Sequence, residues 1–425
     1  MSKQRPEKTK DRPEKATAVV EDHPSTIMTD DYMCVILSTI DDYPCSGNLY
    51  IDLQELCLLM GVKEIPVVTP RQPASLSPAT DKDNIEHYHS RAESQLLYSK
   101  PCVQVVLENE DPLNLKSIRI CGWKVDVSVA RVLCKILPSL SNLQILHLWQ
   151  ARLSDQMVFS LSNTFPLCSN LRTVVLEGNP LPEQSFHLLM SKDSTLTHLS
   201  LRNNRIGEEG ARLIGSALST TTTTNRNLVS LNLAFNSIGD AGAAHIAQGL
   251  RLNRALHCLS LCNNKIGDTG AAHLARVLGP FALTHEEIVE RRRLLLDREE
   301  AAPSSSSLMS TNKVMSRGSV RKRVEPVESP LLEASVQHRD GQVLLSGNTA
   351  LSSFNLSGNQ ISEQSLSLFL SSLQMQTEGG GLQRLCLQRN RFSPDCEDLV
   401  KIQELMALRD PHNKSTESQL EQEGH

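Results

Sequence analysis

Leucine returns along this chain at fixed steps. The clearest stretches read LTHLSLRNNRI (Leu196 to Ile206), LVSLNLAFNSI (Leu228 to Ile238) and LHCLSLCNNKI (Leu256 to Ile266). Each follows L-x-x-L-x-L-x-x-N-x-[IL]. LRTVVLEGNPL from Leu171, LSSFNLSGNQI from Leu351 and LQRLCLQRNRF from Leu382 keep the asparagine. LQILHLWQARL from Leu143 has Ala151 in its place, and LKSIRICGWKV from Leu115 has Trp123. The first leucines of these eight copies lie 28, 28, 25, 32, 28, 95 and 31 residues apart. Eight copies nearly in phase are a repeat, not a coincidence.

The x-L-x-L-x core alternates with period two, as a strand with one buried face does. Successive copies predict parallel strands side by side. The asparagine turns the chain sharply, and its amide is suited to the backbone groups that the turn exposes. Asn179, Asn204, Asn236, Asn264, Asn359 and Asn390 are therefore predicted to stack as a ladder, with about 1–3 kcal/mol lost per rung removed. The second half of each repeat reads as helix. GEEGARLIGSAL from Gly207, GDAGAAHIAQGL from Gly239 and GDTGAAHLARVL from Gly267 place acids in the first turn, where the helix dipole favours them. In the last of these, Ala271, Leu274, Ala275 and Leu278 share a face. A helix is wider than a strand, so the stack must curve. The expected fold is a curved α/β solenoid, a horseshoe of about eight repeats with a parallel inner sheet and outer α-helices.

The quoted copies resemble the ribonuclease-inhibitor type of leucine-rich repeat, over roughly Leu115 to Leu408 apart from one insertion. That resemblance implies a noncatalytic protein-binding scaffold that uses its concave face. The arrangement is also similar to leucine-rich subunits of axonemal complexes, which implies a cytoplasmic place in a cilium or flagellum, as a monomer within a larger assembly. The alternative is a regulator of an enzyme, such as a small-GTPase activator or nuclease inhibitor. Ran-GTPase activators of this architecture carry a long acidic C-terminal tail and a specific loop arginine. This sequence shows no such tail, and no arginine can be assigned that role. Innate-immune sensors with these repeats carry a nucleotide-binding domain ahead of them, and no P-loop precedes the repeats here.

The flanks lack the repeat. Residues 1–30 are polar and charged and read as disordered. Residues 31–114 read as an N-terminal extension and cap, with an apolar stretch (Tyr32 to Ile40), a helix-like segment (Leu49 to Met60) and a Pro/Ser-rich linker (Pro66 to Pro78). Repeats fill 115–283. The long gap contains an insertion at 284–350. It opens on a charged helix, with Thr284 and Glu287 at capping-box spacing and Glu287 and Arg291 at i,i+4 spacing. A Ser-rich and basic stretch follows that reads as disordered. Late repeats and a capping helix occupy 351–410, with Ser393 suited to N-cap and Pro394 to N1. Residues 411–425 read as a free tail.

Composition narrows the chemistry. Of 425 residues 63 are leucine and only 4% are aromatic, as suits many similar layers. The net charge of −5 argues against a globally basic nucleic-acid binder. No apolar run spans a bilayer, the N-terminus lacks a secretory pattern, and 11 scattered cysteines suggest reduced thiols in an intracellular protein. No enzyme motif, cofactor site or metal site emerges. Cys258 and Cys262 fall along one strand and read as structural thiols rather than a metal pair. His87 and His89 lie in an aperiodic segment. Asp41 and Asp42 read as a solvated turn. Arg317, Arg321, Lys322 and Arg323, with Ser316 and Ser319 among them, read either as a solvated loop or as an import or anion-binding motif. The balanced Arg291, Arg292 and Arg293 read as a solvated helix.

Partner-binding residues follow from geometry. The third, fifth and seventh positions of each repeat face the groove. The candidates are Ile145, His147, Trp149, Val175, Glu177 and Arg202. Trp149 is one of two tryptophans, on a face mostly small or polar apart from its apolar neighbours Ile145 and Val175, and suits a hot spot or packing against the N-terminal segment.

Overall fold

The computed structural model describes residues 40–71, 101–219, 226–301, 329–333, 335–376 and 380–409. A helix, α1 (Leu49–Leu59), and two strands, β1 (Val68–Pro70) and β2 (Cys102–Leu107), precede the repeats. The first two repeats are β3 (Leu115–Cys121) with α2 (Val127–Ile136), and β4 (Ile145–Trp149) with α3 (Asp155–Thr164). The third is β5 (Thr173–Val175) with a 3-10 helix, Ser185–Met190. Then come β6 (His198–Ser200) with α4 (Glu208–Leu218), β7 (Ser230–Asn232) with α5 (Gly239–Leu250), and β8 (Cys258–Ser260) with α6 (Asp268–Leu278). The insertion contributes β9 (Phe281–Ala282), α7 (His285–Ala301), β10 (Gln337–Arg339) and β11 (Gln342–Leu345). The last repeats are β12 (Ser353–Asn355) with α8 (Leu366–Gln374), and β13 (Arg384–Cys386) with α9 (Glu397–Arg409).

Ten strands form one sheet in the order β1-β2-β3-β4-β5-β6-β7-β8-β12-β13. All neighbours are parallel except β2 and β3. The register is set by the fourth repeat position. Leu146 faces Val174, Val174 faces Leu199, and the row continues through Leu231, Leu259 and Phe354, all buried. A one-residue slip would turn every one of these side chains to the groove. The helices form the outer layer. Between α4 and α5 the approach is so close that a Cβ on Gly215 would clash with the carbonyl of His245, and one on Gly249 with that of Gly215.

The asparagine ladder is continuous. The amide of Asn236 donates to the carbonyls of Leu201 (3.0 Å) and Leu233 (2.9 Å), while its Oδ1 accepts from the backbone of Asn204 and Ile206. Asn179 donates to Leu148 and Leu176, and Asn204 to Leu176. Asn264 donates to Leu233, Asn359 to Leu261, and Asn390 to Leu356 and Leu387. The rung from Asn264 to Asn359, 2.8 Å from amide nitrogen to Oδ1, joins the repeats on either side of the insertion.

Several local expectations need correction. The third repeat has no outer α-helix. It is three residues shorter than the repeat before it and seven shorter than the one after, it contains Pro180 and Pro182, and Gln184 adopts a positive φ of 53°. Glu287 does not pair with Arg291. It closes the capping box with Thr284 and binds Arg251 at 2.8 Å, while Arg291 donates to the carbonyl of Leu331. The last helix starts at Glu397, because Pro394 lies in a turn closed by a Cys396 N–H to Ser393 carbonyl bond. Part of the Pro/Ser-rich linker, Val68–Pro70, is an edge strand, and residues 337–345 form a hairpin that pairs with β9. The expectations for 1–30, for the Ser-rich basic stretch and for 411–425 fall outside the described residues.

Both ends of the core are covered. At the N-terminal end, fully buried Asp52 accepts from Tyr43 Oη, from the backbone of Ser46 and Gly47, and from Ser46 Oγ, which shapes the loop leading into α1. At the other end, Arg409 donates to the carbonyls of Leu373 (2.7 Å) and Leu382 and to Gln376 Oε1. Carbonyls that a further repeat would have satisfied thus find a partner. No described helix is long and apolar enough to cross a membrane.

Candidate functional site on the concave face

The six candidate residues lie together. Ile145, His147 and Trp149 alternate along β4 with buried Leu146 and Leu148 and are each half-buried. Val175 sits beside His147 in the register. The ladder continues past the short strands: Gln150 N–H donates to the Glu177 carbonyl, and Gly178 N–H to that of Arg202. Trp149, Glu177 and Arg202 therefore occupy equivalent places in consecutive repeats, about 4.8 Å apart.

Electrostatics on this face follow from partial burial. His147 is pushed down to about 4, first by burial and then by the charges of Arg119 and Arg71, so it is neutral near pH 7. Glu177 accepts from Ser200 Oγ at 2.6 Å and lies 3.8 Å from the Arg202 guanidinium. Arg202 in turn lies over the ring of Phe235, 4.4 Å from its centroid. The Arg202 Nε is buried and has no hydrogen-bond partner among the described residues.

Phe235 is the residue that counting third, fifth and seventh positions missed. It holds the eighth position, where every repeat has positive φ: Gly122, Gln150, Gly178, Asn203, Phe235, Asn263, Gly358 and Arg389. That left-handed conformation suits glycine and asparagine and strains a bulky residue. Phe235 is nevertheless 44% exposed at a φ of 58°. The signal was present in the repeat alignment, as the one aromatic in a column otherwise of glycine and polar side chains.

The other candidates are placed as follows. Cys258 and Cys262 stand at the third and seventh positions of one repeat; burial raises the Cys262 thiol, and Asn263 Nδ2 lies 3.0 Å from its sulfur. Among the described residues no group of three or more His, Cys, Asp and Glu side chains is placed to hold a metal ion. Asp41 and Asp42 are exposed, and the Asp41 carbonyl accepts from Lys135. Arg293 pairs with Glu290 and Asp297 on the exposed helix α7. His87, His89, Ser316, Arg317, Ser319, Arg321, Lys322 and Arg323 lie outside the described residues. On the convex side, the thin third repeat leaves a cleft of about 310 Å³ walled partly by Phe159, His187 and Ala217. The concave patch differs in joining an aromatic, a cation and an anion on adjacent strands. Such a set can recognise a surface, and it contains no paired nucleophile and base.

The family pattern described as Leucine Rich repeat matches residues 192–215, 224–247 and 252–275, from the end of the third repeat into the sixth. A solved internalin from Listeria monocytogenes is similar at 13% identity over 69% of this chain and 89% of that one, with a TM-score of 0.25. The family match and the parallel ladder together make the fold a curved α/β leucine-rich repeat solenoid. Leucine-rich repeat domains generally mediate protein–protein interaction.

Proposed function

We propose that this chain is a noncatalytic interaction scaffold whose concave face docks a segment of a protein partner around Trp149, Glu177, Arg202 and Phe235. The observation that carries the reading is Phe235. An exposed aromatic held in a left-handed turn costs folding stability, and such strain concentrates where a side chain serves function. The cation stacked on its ring and the neighbouring Glu177 give the patch both apolar and polar anchors, as interface hot spots have.

The 28-residue spacing and the outer helices support the ribonuclease-inhibitor subtype. The order of N-terminal extension, repeats, long charged insertion and late repeats resembles leucine-rich repeat-containing protein 71. That resemblance is the support for a cytoplasmic place in the cilium or flagellum, with the chain a monomer inside a larger assembly.

Phe235→Gly and Trp149→Ala test the docking. Glycine relieves the left-handed strain, so Phe235→Gly should raise stability by about 1 kcal/mol while weakening capture of partners by proximity labelling in ciliated cells. An unchanged partner set in both folded variants would sink the concave-face reading.

A further inference from the structure

We infer that the rim of the concave face receives an acidic protein segment running across the repeats. The inference rests on the docking reading above and adds the chemistry of what docks. Its basis is the tenth repeat position, in the loop that leaves each strand. That position holds Lys124, Arg152, Pro180, Arg205, Ser237, Lys265, Gln360 and Arg391, in repeat order. Five of these eight are basic and none is acidic, in a chain whose net charge is −5. The five basic side chains are exposed and form no ion pair among the described residues.

Their spacing is regular. From Arg152 onward, a basic residue falls in every second repeat: the second, fourth, sixth and eighth. Neighbouring strands lie about 4.8 Å apart, so these cations recur at about 10 Å. A polyproline-II segment advances about 3.1 Å per residue with three residues per turn, so it presents a matching carboxylate on one face at every third position. From Arg152 to Arg391 the row covers six strand intervals, about 29 Å, or about nine such residues. Arg202, three positions earlier in the fourth repeat and paired with Glu177, adjoins the exposed ring of Phe235.

Carboxylates that begin the outer helices are engaged elsewhere, although Asp268 also feels the charge of Arg391. Asp155 accepts from the backbone of Glu183 and Ser185, Asp240 from Gly267, and Asp268 from Ser362, each in the following repeat. Glu209 is paired with Arg212. A nucleic acid fits less well, because Glu177 stands beside the row and would oppose a continuous phosphate backbone.

The test uses the immobilised full chain and fluorescent nonapeptide pools. One pool carries glutamate at every third position among random uncharged residues. A matched pool carries glutamine there, and a single-stranded oligonucleotide is the third probe. Glutamate peptides should be retained about tenfold over glutamine peptides, as three exposed ion pairs would give. The advantage should vanish in a folded Arg152→Gln, Arg205→Gln, Lys265→Gln variant and shrink with added salt. Equal retention of both pools, lost in Phe235→Gly, would overturn the acidic segment while leaving the docking face standing. Retention of neither pool would overturn both. Stronger capture of the oligonucleotide than of the glutamate pool would also overturn the inference.

Discussion

The first two repeats and the six that follow solve the same turn in different ways. At the ninth position, repeats three to eight use an asparagine whose amide reaches into the repeat before it. The first two use Trp123 and Ala151, both buried. Their strands are longer, seven and five residues against three, so ladder bonds hold backbone that an amide holds elsewhere. The ladder also overlaps the junction: Asn179 accepts from Leu153 and donates to Leu148, both in the second repeat. An apolar plug works only at the end of the stack, where the N-terminal strands and α1 cover it. In the middle, polar bonds must pass from each repeat to the next.

The largest expected effect tests the plug. Trp123→Ala removes a large side chain that is 5% exposed, and should cost about 3–5 kcal/mol in urea denaturation. A loss under about 1 kcal/mol would show that the longer strands alone hold that turn. Next comes the middle of the ladder. Asn236→Ala should cost about 1–3 kcal/mol, and Asn236→Asp nearly as much, because aspartate keeps the acceptor and loses the donors. If the aspartate variant matched wild type, the donated bonds would carry little of the ladder. Asn390, the half-buried last rung among the described residues, carries no described repeat on its far side, so Asn390→Ala should cost about 1 kcal/mol by the same measurement.

The smallest effect separates the two regions by pH. His147, in the second repeat, titrates at about 4 when folded against an ordinary 6.5, so the unfolded chain takes up the proton first. Stability should fall as the pH drops from about 6.5 to about 4, and His147→Gln should flatten that part of the profile. Asp268, in the sixth repeat, is shifted in the same direction but acts in a lower pH window. Burial alone would raise it, but bonds from Ser365 and Ser362 hold it below its ordinary 3.8. Its contribution should be lost only below about that pH. Hydrogen exchange of peptides from the two regions would show which opens first; equal loosening at pH 5 would break the distinction.

Much of this was legible because leucine and asparagine have positional meaning here. Alternation placed Leu146, Leu199 and Leu231 in the core, and the turn chemistry placed the asparagines. What escaped the sequence depends on geometry between distant residues. Arg251 takes Glu287 away from its helical neighbour Arg291 because it reaches across from the end of α5 and stacks on Phe281 at 4.1 Å. The third repeat lost its helix to three missing residues and two prolines, which a consensus smooths over. Two misses had local signals. Asp340 and Gly341, with φ of 50° and 75°, form a hairpin turn of the Asp-Gly kind. Phe235 stood in a column that wants glycine.

The insertion enters and leaves through a stem, because Leu345 pairs with Phe281 and Leu344 with Ala282. Once those ends are pinned, lengthening a flexible loop between them would add only a logarithmic entropy, about 0.6 kcal/mol for each doubling of loop length. The solenoid is thus indifferent to the size of what it hosts there. Length added away from Glu287 and Glu333, which pair with Arg251 and Arg254 of the solenoid, would leave the rung from Asn264 to Asn359 in place.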